Sequence, residues 1–392
     1  MKPSMEYCTY NIELQMTDET RRHWMALLSQ TRDAFNRCAS LVTSSETSLS
    51  LVSVHNLCYD TLRREFPSLP SQGVIRVQKS VLAAFRSIRS NKHRDAETPR
   101  KKSLSLQLDK RLYSNLSANG ISLSNGTPQK RERCTFVLYP KAIEMFSTCA
   151  FKDPTIFARN GRLFLSVPFE VATPPVSGEM SIGVDLGMKR LFVTSEGLYY
   201  KDSDYLKRRR RLRYLKRCLQ GRKTRSSKRH LRKVSRRERN MSRDMLNRAA
   251  DTLLRSTDAD ILVLEDLSRI KRDTSRTGGG HKRKRHNCAL SQVPLYEFRR
   301  ILTHKAPLLG KRVETVSPTW TSQTDSRTGK RDGERHGCRY CCADGVVLDA
   351  DWNAAVNIAR RANHPTSTVL PIDGGMSALV GRARSTARSS RT

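Results

Sequence analysis

Apolar residues near the N-terminus follow a helical period after a short strand-like opening. The opening CTYNIELQ alternates between polar and apolar positions, and residues 17–19 then have the composition of a helix cap with acids in the first turn. Apolar side chains recur every three or four positions from there to Val42. Two more helical patterns, over 50–64 and 71–90, complete a small predicted helical unit with a basic exterior.

The pattern then changes to one that favours strands. Residues 91–130 are polar, and within them only SLSLQL is strand-like. CTFVLYP and TIFARNGRLFLSVPFEVA read as short strands, and the Asn-Gly in RNGR (159–162) suits a tight hairpin turn because both residues tolerate positive φ. Together with the opening strand, this predicts a small antiparallel barrel that the helices interrupt and that ends near Pro174-Pro175.

The next region carries acids at the ends of apolar segments. MSIGVDLGMKRLFVTSEGLYY contains Asp185 in its first strand, and ILVLEDLS ends on Glu265 and Asp266. DADWNAAVNIA begins a helix just after Asp349 and contains Asp351. Each acid alone has an ordinary explanation as a turn residue, a solvated pair or a helix cap.

Taken together, the three acidic segments point to metal chemistry. Carboxylates that converge from two strands and a late helix are what an RNase H-type fold brings to one site. Two Mg²⁺ ions about 4 Å apart need hard oxygen ligands, and they clamp the attacking and leaving oxygens of a phosphodiester displacement. The sequence therefore predicts a metal-dependent nuclease.

The overall charge points to a polyanionic partner. The chain of 392 residues has a net charge of +36 and an isoelectric point of about 10.4. Nucleic acid is the expected partner for a protein this basic. No apolar run approaches the roughly 18–20 residues that span a bilayer, and the N-terminus lacks an apolar signal core. We expect no membrane partner and a prokaryotic cytoplasmic protein associated with the nucleoid, with its scattered cysteines reduced.

One segment concentrates this charge. Residues 207–243 contain 19 Lys or Arg residues and a single acid, Glu238. Because the apolar stripe is thin, we expect a helical hairpin that coats a phosphate backbone without reading sequence. The candidate contacts are Lys207, Arg208, Arg209, Arg210, Arg211, Arg213, Lys216, Arg217, Arg222, Lys223, Arg225, Lys228 and Arg229.

The acidic motifs resemble those of a known family. IGVDLG, ILVLEDLS and DADWNAAVNIA look like the three split RuvC motifs of TnpB, the transposon-encoded RNA-guided nucleases, and of the miniature type V CRISPR effectors. The resemblance extends over most of the chain to about residue 360. It implies that Asp185, Glu265 and Asp351 are the catalytic ligands of two Mg²⁺ ions, with Asp266 and Asp349 as neighbours of uncertain role.

The resemblance also implies a fold class. The expected class is an α/β protein with β-barrel and helical parts. An RNase H-like (RuvC) nuclease domain follows a wedge barrel, which a helical recognition region interrupts. The expected domains are an oligonucleotide-binding-like wedge over 1–17 and 105–175, the helical recognition region 18–104, the RuvC-like domain 176–317 and 349–362, a degenerate zinc-ribbon-like insert 318–348, and a disordered basic tail 363–392.

The insert departs from the family pattern. The family places C-x-x-C-G at two turns, but here the corresponding segments read DSRTG (325–329) and CCADG (341–345). A Cys₄ zinc site cannot form from what remains, so we expect no zinc. A makeshift set of His336, Cys338 and Cys341 is the less favoured alternative.

The expected function is RNA-guided cutting of double-stranded DNA beside a short motif, with a guide RNA and Mg²⁺ as cofactors. Two alternatives remain open. One is a guide-dependent DNA-binding repressor that does not cut, and the other is a DNA strand-transferase that uses the same acids. The guide, the target-adjacent motif, the oligomeric state, and a transposon or CRISPR context do not follow from the sequence.

Overall fold

The computed structural model describes residues 4–45, 48–90, 98–124, 130–187, 189–266, 295–362 and 378–380. The chain divides into two compact units. The first is Met5–Ala172, and the second is formed by the described residues from Thr173 onward, with Ser4. None of the described helices is both long and apolar enough to cross a membrane.

The helices of the first unit follow the predicted pattern. They are α1 (Asp18–Ser44), α2 (Leu51–Glu65), α3 (Ser71–Arg89) and α4 (Pro140–Thr148). The side chain of Thr17 caps α1 by accepting a hydrogen bond from the Thr20 backbone amide at 3.3 Å. The first three helices pack on one another through fully buried apolar residues such as Leu28, Val54 and Val81.

The strands of the first unit form one sheet. They are β1 (Ser4–Gln15), β2 (Ser105–Gln107), β3 (Tyr113–Ser117), β4 (Gly120–Ser124), β5 (Arg131–Val137), β6 (Ala150–Phe151), β7 (Thr155–Arg159) and β8 (Arg162–Thr173). The order is β2-β7-β8-β1-β5-β4-β3, with β6 beside β8. The expected Asn-Gly turn joins β7 to β8, with φ of 52° at Asn160 and 76° at Gly161.

This sheet is more open than the small barrel that the sequence predicts. It is curled like half of a barrel, and its end strands β2 and β3 do not pair with each other within the described part of the chain. At one end β2 has only three residues and packs beside α1 and α3. A strand this short offers few backbone groups for closure.

The strands of the second unit form two sheets. They are β9 (Ser181–Leu186), β10 (Phe192–Thr194), β11 (Tyr199–Lys201), β12 (Ile261–Glu265), β13 (Arg312–Val316), β14 (Glu334–His336), β15 (Arg339–Cys341), β16 (Val347–Asp349) and β17 (Ala378–Val380). The larger sheet has the order β13-β12-β9-β10-β11-β17. Strands β9, β10 and β11 are antiparallel, whereas β12 and β13 run parallel to β9. The smaller antiparallel sheet is β14-β15-β16.

Helices cover both faces of the larger sheet. They are α5 (Ser203–Gly221), α6 (Arg225–Ser256), α7 (Leu295–Lys305) and α8 (Ala350–Arg361), with a short 3₁₀ turn at Pro307–Leu309. Val184 of β9 and Leu264 of β12 pack with α6 and α7 on one face. Ile261 and Val263 of β12 pack with Ile358 of α8 on the other.

Part of the predicted disordered tail is a strand. Within 363–392, the residues Ala378–Val380 pair in parallel with β11. Residues 363–377 and 381–392 lie outside the described part of the chain.

Candidate functional site

The alternation of side chains along two strands places Asp185 and Glu265 on the same face. Leu264 of β12 is the partner of Val184 of β9, so the next residues, Glu265 and Asp185, lie side by side. Because Val184 and Leu264 face α6 and α7, the two acids face α8. The sheet therefore presents two carboxylates to the third acidic segment.

Helix α8 approaches β9 closely because residue 183 is glycine. A Cβ atom at Gly183 would lie 1.9 Å from the carbonyl oxygen of Ala355 and 2.6 Å from the backbone nitrogen of Ala359. Only a residue without a side chain permits this contact. Asp351 lies one turn before Ala355 at the start of α8, where its charge acts on Asp185.

The electrostatics of the cluster are unfavourable in the protein alone. Burial raises the pKa of Asp185 to about 8, with further contributions from the charges of Glu265 and Asp351. Burial also raises the pKa of Glu265, although the hydrogen bond from Thr321 and the charges of Arg361 and Arg335 oppose it. Within the described ranges, neither Asp185 nor Glu265 has an ion-pair partner.

Two arginines, which the sequence reasoning missed, neutralise the helix end. The Nη2 atom of Arg190 lies 2.8 Å from Asp349 Oδ1 and 2.7 Å from Asp351 Oδ2. The Nη2 atom of Arg335, from the smaller sheet, lies 2.8 Å from Asp351 Oδ1. No sequence motif identifies such long-range partners.

The two neighbouring acids have structural partners. Asp349 caps α8, since its Oδ1 atom accepts hydrogen bonds from the amides of Asp351 at 3.1 Å and Trp352 at 3.0 Å. Asp266 accepts a hydrogen bond of 2.8 Å from Arg299. Asp349 and Asp266 pair with arginines, whereas Asp185 and Glu265 have no ion-pair partner among the described residues.

The chemistry of the cluster fits a divalent cation. Carboxylate oxygens are the ligands that Mg²⁺ prefers, and nearby positive charge would relieve the repulsion that raises the pKa of Asp185. Among the residues that the structure describes, no three His, Cys, Asp or Glu side chains form a metal-binding arrangement, and Asp351 is engaged by arginines instead. Asp185, Glu265 and Asp351 are the residues that could hold a metal.

The basic segment forms a helical hairpin of α5 and α6. Arg209 and Lys216 differ from the other candidates because both pair with Glu238. Arg209 Nε lies 3.8 Å from Glu238 Oε1, and Lys216 Nζ lies 2.6 Å from Glu238 Oε2. Lys207 lies 3.9 Å from Asp204. Several of the remaining candidates are exposed and have no ion-pair partner among the residues described, namely Arg208, Arg210, Arg211, Arg217, Arg222, Lys223, Arg225, Lys228 and Arg229.

An arginine joins the two turns of the insert. Arg327 Nη2 lies 2.9 Å from Asp325 Oδ2 and 2.8 Å from Asp344 Oδ1. Asp325 also accepts a hydrogen bond of 2.8 Å from the Arg327 amide, and Asp344 one of 3.2 Å from the Val346 amide. Burial alone would raise the pKa of Asp325, but the hydrogen bonds from Arg327 lower it overall, and they lower the pKa of Asp344 as well.

The thiol that faces this ion pair is Cys342, one residue beyond the position that the spacing marks. Burial and a hydrogen bond to Asp325 raise the pKa of Cys342 to about 11. In the makeshift zinc set, His336 lies 3.2 Å from Glu334, and Cys338 Sγ lies 3.3 Å from Lys189 Nζ. His336 and Cys338 therefore each contact a residue outside the set.

Comparisons with known proteins match two parts of the chain. The family model described as "Probable transposase" matches residues 164–285, and the model "Cas12f1-like, TNB domain" matches residues 296–358. No curated protein matches the chain.

Two solved structures have a similar fold. The first is described as "Cryo-EM structure of the Cas12f1-sgRNA-target DNA complex", with a TM-score of 0.58 and 13% identity over 87% of this chain and 82% of that one. The second is "Structure of the mini-RNA-guided endonuclease CRISPR-Cas_phi3", with a TM-score of 0.50 and 11% identity over 94% and 93%.

Proposed function

We propose that the chain is an RNA-guided DNA endonuclease of the TnpB and miniature type V effector family, with one Mg²⁺-dependent, RuvC-like site, and the two family-model matches support this. The observation that carries this proposal is the shared face of Asp185, Glu265 and Asp351, where the partly buried carboxylates of Asp185 and Glu265 have no ion-pair partner among the described residues. The parallel pair of β9 and β12, with α8 packed over it, supports an RNase H-like domain.

The three acids would hold the metal, and neighbouring residues would keep the acids in position. Bound Mg²⁺ would stabilise charge on the oxygens of the phosphodiester that is cut. Thr321 orients Glu265 through its hydroxyl, and Asp349 fixes the first turn of α8, on which Asp351 lies. Arg190 and Arg335 pair with Asp351 and could turn to a DNA phosphate, since guanidinium groups bind phosphate well.

The other parts of the molecule would bind nucleic acid. The exposed cations of the α5–α6 hairpin would contact the phosphates of a duplex between guide RNA and target DNA. The curled sheet and helices of Met5–Ala172 would hold the guide RNA and read a short motif beside the target.

The proposed activity is tested by copurification and guided cleavage. The protein is expected to carry a discrete structured RNA, and cleavage in Mg²⁺ is expected to follow the sequence of that RNA. RNA-free protein that cuts duplex DNA as well as the complex does would contradict the guided mechanism.

A salt titration tests the hairpin. Changing Arg210, Arg211 and Arg217 to Gln should reduce the slope of log affinity against log salt by roughly one unit for each phosphate that the variant no longer neutralises. Lys216→Gln is the matched control, because Lys216 is engaged by Glu238 and should change the slope less.

The "Probable transposase" match supports DNA strand transfer as a second candidate. Strand transfer needs a 3′-hydroxyl end as nucleophile. Joined products from pre-cut ends without a guide would favour strand transfer over guided cutting.

A further inference from the structure

An exposed tryptophan next to the carboxylate cluster has no role in the site described so far. Trp320 is 49% exposed, whereas the next residue, Thr321, is 1% exposed and donates its hydroxyl hydrogen bond to Glu265. A large aromatic ring therefore lies one residue away from a group that contacts a candidate metal ligand.

The backbone holds Trp320 in a rare conformation. Its φ angle is 65°, which is unfavourable for any residue with a bulky side chain. The segment is fixed on its C-terminal side, since Asn357 donates to the Thr321 carbonyl at 2.9 Å. The Trp320 carbonyl itself accepts from the amide of Gln323 at 3.0 Å and from the hydroxyl of Thr324 at 2.9 Å. Backbone strain of this kind is found mainly where a side chain has a function.

An arginine without a carboxylate partner completes the feature. The guanidinium of Arg331 lies 4.8 Å from the centre of the Trp320 ring. Within the described residues, no acid lies within ion-pair distance of Arg331. A half-exposed aromatic ring with a guanidinium over it, where that guanidinium has no acid partner among the described residues, matches the two chemical parts of a nucleotide, a flat base and a phosphate.

A second aromatic–arginine pair in the same unit lacks these properties. Tyr296 is 69% exposed, and the guanidinium of Arg299 lies 5.7 Å from its ring centre. Arg299 is already paired with Asp266 at 2.8 Å, and Tyr296 lies on the regular helix α7. This pair has no free positive charge and no strained backbone.

We propose that Trp320 and Arg331 form a stacking site for one unpaired nucleobase of the DNA strand that enters the carboxylate cluster. The indole takes the base and Arg331 the adjacent phosphate. The site selects single-stranded DNA, because a base within a duplex has no free face for the ring. This inference rests on the proposed nuclease function, because it says that the DNA is single-stranded where it reaches the nuclease site.

Fluorescence of 2-aminopurine tests the stacking directly. In an Asp185→Asn background, which keeps the DNA intact, the guide-loaded protein binds target DNA with 2-aminopurine at single positions around the cut. We expect quenching at one or two positions, lost in Trp320→Gly and retained in Trp320→Phe and in the control Tyr296→Ala. Equal quenching with Trp320→Gly would overturn the proposal.

Cleavage and folding separate a binding role from a structural one. With wild-type carboxylates, Trp320→Gly should raise KM by about 5- to 100-fold, with a smaller change in kcat, because stacking contributes to strand binding. Its Tm should be unchanged or higher, since glycine accepts a φ of 65° without strain. A lower Tm with an unchanged KM would show that the ring is only structural.

A guide-free assay separates this proposal from the nuclease assignment. A short single-stranded oligonucleotide with 2-aminopurine should be quenched by the protein in a Trp320-dependent manner, whereas the same oligonucleotide in a duplex should not. If guided cleavage fails but this difference remains, the stacking site stands without the proposed function. If cleavage occurs but the difference is absent, the stacking site is wrong.

Discussion

Two groups of acids in the second unit have opposite electrostatics. In the insert, Asp325 and Asp344 share the guanidinium of Arg327, and both have lowered pKa values. On the sheet, Asp185 and Glu265 have no ion-pair partner among the described residues, and both have raised pKa values. The first group contains its own cation, whereas in the second the charges of Arg335 and Arg361 only partly offset the effect of burial.

The difference explains why only one group is a good candidate for a metal site. In the family pattern, zinc joins the turns that DSRTG and CCADG form here. Arg327 makes that connection between Asp325 and Asp344 through hydrogen bonds within the chain. Without a bound cation, the Asp185 cluster would continue to destabilise the folded protein. This is expected of a site that binds its metal together with the substrate.

The largest expected effect is on catalysis. Asp185→Asn, Glu265→Gln and Asp351→Asn should each reduce guided cleavage at least about a thousandfold, because the metal supplies several kcal/mol of charge stabilisation. DNA binding in a gel-shift assay should persist. Asp266→Asn is the matched control, since Asp266 pairs with Arg299 and should matter far less. Full cleavage by Asp185→Asn would show that the Asp185 cluster does not hold the catalytic metal.

The next effect concerns the insert. Arg327→Met leaves Asp325 buried without its cation, which should destabilise the insert even though Asp344 is half exposed. We expect hydrogen exchange in 325–345 to become about ten- to a hundredfold faster. Lys330→Met, an exposed neighbour, should leave exchange unchanged. Equal exchange in both variants would show that Arg327 does not join the turns.

The same variant has a defined pH dependence. Both aspartates have pKa values below the usual 3.8, so the ion pair stabilises the folded state above that pH and is lost as the pH falls below it. The difference between wild type and Arg327→Met should therefore be full at pH 7 and shrink below about pH 4. A difference that persists at pH 3 would contradict an electrostatic connection.

The smallest effect is expected from the cysteines. With Arg327 in place of metal, purified protein should contain well under one zinc per chain. Cys338→Ser and Cys341→Ser should leave Mg²⁺-dependent cleavage nearly unchanged. Stoichiometric zinc by elemental analysis, lost together with activity in either variant, would show that these residues rebuild a site.

Local patterns were enough to predict several parts of the fold. The helical stripes and the Asn-Gly turn depend on near neighbours, and the structure confirms them at α1 to α3 and at Asn160-Gly161. Strand alternation also accounts for Asp185 and Glu265 on one face. The predicted barrel is confirmed only in part, as a curled sheet, because closure depends on how distant strand edges meet.

The missed features depend on interactions between residues that are distant in sequence, or on backbone geometry. Arg190 reaches Asp349 and Asp351 across 159 and 161 positions of the chain. The positive φ of Trp320 is set by its packed surroundings, since tryptophan itself disfavours it. Asp344 in CCADG suggests an ion pair in the insert, but the sequence does not indicate which cation pairs with it.

Thermal unfolding with and without Mg²⁺ tests most directly whether the Asp185 cluster takes its cation from solution. Guide-loaded wild type and Asp185→Asn are compared at pH 8, so that effects of Mg²⁺ on the RNA are common to both. We expect Asp185→Asn to have the higher Tm without metal, because a carboxyl with a raised pKa destabilises the folded state as the pH rises towards about 8. We also expect about 10 mM Mg²⁺ to raise the Tm of wild type by a few degrees more than that of the variant. Equal Mg²⁺ effects, with the variant no more stable than wild type in metal-free buffer, would show that the Asp185 cluster does not take up Mg²⁺.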